Sequence, residues 1–157
     1  MFDSGHYSQA SIAFLRAGRD REAAICDAYL LREKARSISI TASIARIQAF
    51  VTAANAFITC AQCSPRVNER LAYYGIAGEC YSEARDLKKA GDSYRMAEQY
   101  DEAALAYLEG GHFNGVAAVL IRHGNALASG LRERLTMVTR MYYFKVYFNG
   151  RLVPKYL

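Results

Sequence analysis

Between residues 81 and 120, bulky and small side chains follow one another with a period of 13. Tyr81, Tyr94 and Tyr107 recur at that interval, and Leu120 continues the series. Ala84, Ala97 and Gly110 stand three residues after each tyrosine; Leu87, Tyr100 and Phe113 stand six after. Ala90, Ala103 and Val116 follow at nine, and Gly91, Ala104 and Ala117 at ten. An earlier copy reads Phe14, Ala17, Asp20, Ala23, Ala24. Self-similarity at a fixed spacing is the mark of a repeat architecture. Such a unit holds a helix of about ten residues, roughly 15 Å long, and a turn of about three residues. The turns are expected at Arg85-Asp86, Glu98-Gln99 and Gly110-Gly111-His112, where glycine suits the left-handed conformation that ends a helix. Asp101 is read as an N-cap, with Tyr100 before it and Leu105 four positions inside as a hydrophobic staple.

The remaining pattern also reads as helix. Helices are predicted at about 7–17, 20–36, 42–63 and 66–83, with Asp20 and Glu22 in a helix first turn. Residues 37–43 are serine-rich and β-branched and predict a loop. Pro65 marks another break. There are 26 alanines and two prolines, a balance that favours helix. The small columns let helix backbones approach and the aromatic columns fill the gaps. One hairpin of such helices cannot bury its apolar face alone, so copies stack. The expected fold is all-α, an α-α superhelix of short antiparallel helices. It is divided into a repeat domain over 1–126 and a basic, aromatic tail over 127–157. The tail reads either as a helix through Met141-Tyr142-Tyr143-Phe144 or as a hairpin turning at Asn149-Gly150.

Charge adds one feature. The net charge is +5, and residues 131–157 account for all of it. Arg132, Arg134, Arg140, Lys145, Arg151 and Lys155 there face the single acid Glu133. Cations interleaved with aromatics suit single-strand nucleic acid, so Arg132, Arg134, Arg140 and Lys145 are candidate contacts. The footprint is small, and packing on the last repeat explains the same aromatics. Arg32, Lys34 and Arg36, at the charged end of the second helix, are the candidate protein-interaction residues.

Candidate chemistry is sparse. Cys60-Ala-Gln-Cys63 has the spacing of half a zinc site or a redox pair. Zinc needs about four ligands, Cys26 and Cys80 stand alone, and the strand context of a redox pair is lacking. The motif therefore reads as two small side chains on a helix. His6, His112 and His123 are scattered, and no nucleophile signature accompanies them. The acid pairs Glu22/Asp27 and Asp101/Glu102 fit helix starts and solvated faces. No catalytic residue, cofactor site or metal site is assigned. No run of about 18 apolar residues stands out as a membrane span, and no secretory signal opens the chain, so an intracellular, membrane-free setting is expected.

Several stretches carry a resemblance. They are Phe14-Leu-Arg-Ala-Gly-Arg-Asp-Arg-Glu-Ala-Ala24 through Ala28-Tyr-Leu-Leu-Arg-Glu-Lys-Ala-Arg36, Ala49-Phe-Val-Thr-Ala-Ala-Asn-Ala-Phe57, Tyr74-Gly-Ile-Ala-Gly-Glu-Cys-Tyr81, and the repeats to about residue 122. Together they resemble the tetratricopeptide-like helical region of large fungal proteins of the TPR and ankyrin repeat-containing family. Those proteins often carry a UvrD-like, superfamily 1 helicase ATPase region as well. The resemblance spans most of residues 7–145. It implies a neighbour to a helicase-like domain, and the stacked hairpins point to a non-catalytic scaffold, partnered by another protein or by a neighbouring domain. The alternative it implies is an accessory segment of a helicase-like ATPase. The family's ATPase needs a glycine-rich loop with lysine. Gly110-Gly111 is followed instead by His-Phe-Asn, so no catalytic residue carries over. Residues 149–157 depart from the family's repeats, and the chain is expected to be a fragment or truncated product.

Overall fold

The computed structural model describes the backbone of residues 4–151 and the side chains of residues 5–147. Eight helices fill it: α1 (Ser4–Arg16), α2 (Asp20–Ser37), α3 (Ser43–Cys63), α4 (Val67–Glu83), α5 (Leu87–Met96), α6 (Tyr100–Glu109), α7 (Phe113–His123) and α8 (Ser129–Arg151). No strand occurs among the described residues. Each helix packs chiefly on its neighbours in sequence. The fold is all-α, and the tail reads as one helix through Arg151 rather than a hairpin.

The 13-residue recurrence is a recurrence of turns. Arg85, Glu98 and Gly111 all have positive φ, at 61°, 60° and 70°. In each turn the next N–H closes onto a tyrosine carbonyl: Asp86 N onto Tyr81 O, Gln99 N onto Tyr94 O, and His112 N onto Tyr107 O. The bond satisfies a carbonyl that the helix end leaves orphaned. The same geometry occurs at the earlier copy, where Gly18 has φ 67° and Arg19 N bonds Phe14 O. Glycine takes the left-handed position in only two of these four turns. Arginine and glutamate take it in the others, at a steric cost that local composition does not forecast.

The helix starts bring one correction. Asp86 caps α5, its Oδ1 accepting from Lys89 N at 3.2 Å. Asp101 does not cap α6. The cap is Gln99, with no side-chain bond, and Tyr100 is already helical. Asp101 sits inside the first turn and accepts from Ala128 N at 3.2 Å, tying α6 to the approach to α8. Leu105 is exposed, so the staple does not form.

Packing follows the small and aromatic columns. Phe50, Phe57, Ala53, Ala54, Ala77, Cys80, Tyr81 and Ala90 share one cluster, which reaches from Ala28 and Ala35 of α2 to Ala106 of α6. Ala103, Ala104, Tyr107, Val116, Val119, Leu127 and Leu135 share another over α6 to α8. Tyr94 packs against both. Leu127 and Leu135, both past residue 126, belong to the second cluster. The first turns of α8 are therefore part of the body. Arginine–glutamate pairs lace the surface: Arg21–Glu69, Arg32–Glu79 at 2.6 Å, Arg46–Glu83 at 3.4 Å and Arg85–Glu109 at 2.9 Å.

Helix α3 qualifies what the sequence suggests about membranes. Its 21 residues are long and apolar enough, by length and composition, to cross one. It is the one such helix among the described residues. The apolarity has a local cause: α3 packs on both α2 and α4 and buries Phe50, Ala53, Ala54, Phe57, Cys60 and Ala61.

Candidate interaction surface

The structure separates the three basic residues near the end of α2. The Arg32 side chain is only 15% exposed and is held by Glu79. Arg32 and Arg36 line a depression of about 270 Å³ with Phe50 and Tyr94. Arg36 pairs with Glu33 at 3.0 Å. Lys34 is exposed and does not line that depression, because two helical steps turn it to the far side.

The four candidate cations of α8, Arg132, Arg134, Arg140 and Lys145, are all exposed. Arg132 donates to Asn125 Oδ1 at 3.4 Å. Arg132 and Arg140 line one depression with Met137 and Met141; Arg134 and Lys145 do not. No residue of α8 from 136 to 147 is fully buried. Met137, Met141, Phe144 and Tyr147 are each more than half exposed. Two aromatics are anchored on α7: Tyr142 stacks on Phe113 at 4.0 Å, and Tyr143 donates to Asn114 Oδ1 at 2.6 Å.

A further concavity lies between α5, α7 and α8. A cleft of about 580 Å³ is walled by Lys88, Asp92 and Arg95 of α5, by the start of α7 with Ala118 and Arg122, and by Tyr142 of α8. Tyr107 closes its inner side and donates to Asp92 Oδ1 at 2.5 Å. Burial, and then that bond, push the Tyr107 hydroxyl up to about 12. Arg95 lies 3.9 Å from the same carboxylate. His112, Asn114 and Gly115 complete the rim. The spacing was available beforehand. Lys88, Asp92 and Arg95 share one face of α5, and Asn114, Ala118 and Arg122 share one face of α7. Spacing within each helix does not say that the two faces look into one space.

The remaining candidates resolve individually. Cys60 is buried, with Sγ 3.7 Å from Ala24 O, whereas Cys63 is exposed. Of these two, Cys60 is a core residue and Cys63 faces solvent. Burial pushes the thiols of Cys26, Cys60 and Cys80 up, Cys80 to about 11. Such thiols stay protonated and weakly nucleophilic. Among the described residues no group of three or more His, Cys, Asp or Glu could hold a metal ion. His112 is the N-cap of α7, and His123 stacks on Tyr100 at 4.0 Å. Tyr81 and Tyr107 are buried, with hydroxyls on Asn55 and Asp92. They pack the core.

Comparison with protein-family models, with curated proteins and with solved structures returns no match for this chain.

Proposed function

We propose that this chain is a non-catalytic scaffold for protein–protein or interdomain interaction, built as an α-α superhelix of tetratricopeptide type. The observation that carries the reading is the identical turn repeated at Arg85, Glu98 and Gly111. Equal turns between equal helices, each packed on its neighbours in sequence, generate a stack by translation and rotation. Such stacks present long continuous surfaces suited to peptide segments and neighbouring domains. The family resemblance supports the same reading and makes a neighbouring domain a natural partner. The test is cross-linking of the purified chain to candidate proteins, followed by a binding isotherm with each defined protein recovered. A saturable one-to-one complex supports the scaffold. Recovery of nucleic acid alone overturns it.

The second reading is an accessory segment of a helicase-like ATPase that contacts nucleic acid through α8. The exposure of Arg132, Arg134, Arg140 and Lys145 favours it. Neutralising phosphates with these side chains makes affinity fall steeply with salt. Single-stranded DNA binding that weakens with salt, and that is lost when all four become glutamine, supports this reading. Binding unchanged by the quadruple substitution overturns it.

A further inference from the structure

We propose that a line of connected depressions across α5, α7 and α8 is the docking surface for an acidic segment of a protein partner that also carries apolar side chains. This rests on the scaffold reading above and names the surface and the chemistry of its partner.

The depressions are joined by shared side chains. Arg122 lines both the large cleft and a second depression of about 270 Å³. Arg132 and Thr136 line both that depression and a third of about 520 Å³. Lys88, Arg95, Arg122, Arg132 and Arg140 therefore border one line of hollows. Only two carboxylates line it, Asp92 and Glu133, and Asp92 already accepts from Tyr107. A concave surface dominated by one sign concentrates and steers partners of the other.

Two further features select a peptide over a nucleic acid strand. Non-specific single-strand binding stacks bases on open ring faces. Of the phenyl and phenol rings that line these hollows, Tyr107 is buried, and Phe113 and Tyr142 stack on each other, 13° from parallel, so each of those two has one face covered. The apolar lining of the third depression is Met137 and Met141, 59% and 67% exposed. Flexible thioether side chains repack around apolar side chains of varied shape. Asn114 adds a backbone reader. Its Oδ1 is taken by Tyr143, which leaves its amide hydrogens for a peptide carbonyl. A second copy of this chain does not fit, because a self-complementary contact here would set cations against cations.

The test is fluorescence anisotropy on the full chain with three labelled probes. They are a short peptide of alternating Glu and Leu, the same peptide with Lys in place of Glu, and an oligothymidine of equal length. The Glu peptide binds and the Lys peptide does not. Arg122→Glu, at the junction of two depressions, weakens Glu-peptide binding about tenfold or more, as loss of a bound charge pair does. Met141→Ser weakens it by a smaller factor, and Lys34→Glu, away from the hollows, leaves it unchanged. All three positions are exposed, and circular dichroism checks that each variant folds. Glu-peptide binding unchanged by Arg122→Glu, no binding of the Glu peptide, or tighter binding of the oligothymidine overturns the proposal. A defined partner from the cross-linking experiment that still binds Arg122→Glu removes this surface while leaving the scaffold reading intact. Absence of any partner removes both.

Discussion

The ring of Tyr94 lies so close to Gly78 that a Cβ added there would stand 2.7 Å from its Cδ1 and Cε1 atoms. Tyr107 repeats the relationship 13 residues on, with Gly91 and 2.6 Å to its Cε1. A glycine on one helix is thus the seat for a ring on the next. Gly91→Ala should destabilise the fold by about 1–3 kcal/mol through overpacking, against roughly 1 kcal/mol that alanine returns in helix propensity. Urea denaturation reads the difference. Gly130→Ala is the control, since nothing lies within 4 Å of its added Cβ, and it should cause no loss.

Glu98 holds a left-handed conformation, φ 60°, without being glycine. Glu98→Gly removes the steric penalty and should stabilise the protein by about 1 kcal/mol. The gain appears as a higher urea midpoint with an unchanged slope. An unchanged or lower midpoint would show that the turn carries no strain.

Tyr107 links stability to pH. Its folded-state hydroxyl is raised to about 12, above the roughly 10 of an unfolded tyrosine. The neutral form is the one the fold favours. The linked stability is fully present below pH of about 10 and is lost as pH climbs toward 12. Burial pushes Tyr29, Tyr73, Tyr81 and Tyr94 in the same direction, so alkaline unfolding should be steep. Tyr107→Phe should unfold more readily near neutrality and show a shallower decline above pH 10. Thermal melts across that range measure both.

The cysteines should react in an order set by burial. Cys63 is exposed, whereas Cys60 and Cys80 are buried with raised thiol values. Alkylation of the native protein, followed by mass spectrometry, should label Cys63 first. Cys60 and Cys80 should be labelled only as the protein opens. Early labelling of Cys80 would contradict the packing of α4.

Leu135 is fully buried, in one cluster with Val116, Val119 and Leu127. Leu135→Ala should cost about 2–5 kcal/mol, a loss expected only if the start of α8 belongs to the body. A loss near zero in urea denaturation would show that the start of α8 does not pack as part of the body.

Helix, turn and core were largely legible in advance because they depend on short-range chemistry. Tyr81, Ala84, Ala90 and Gly91 lie within one repeat, and a 13-residue recurrence of such side chains fixes where helices end and which faces are buried. The misplaced cap at Asp101 shows where that reasoning fails. A carboxylate in a first turn can cap locally or reach elsewhere, and here Ala128 N, 27 residues on, is its partner. The charged residues divide in the same way. Arg32, Lys34 and Arg36 look alike in sequence, but Glu79 takes Arg32 and helical rotation sends Lys34 away.

Sequence alone determined the all-helical character, the lengths of the repeating helices and the columns of bulky and small residues, because these follow from side-chain size and backbone preference over a few residues. Tertiary structure decided which faces share a space. The cleft joins Lys88 and Arg95 to Arg122 and Tyr142, residues from three helices whose relative placement depends on how ring and glycine seat across each interface. A surface made of such long-range neighbours has no local signature, since its residues are brought together only by the packing of the helices between them.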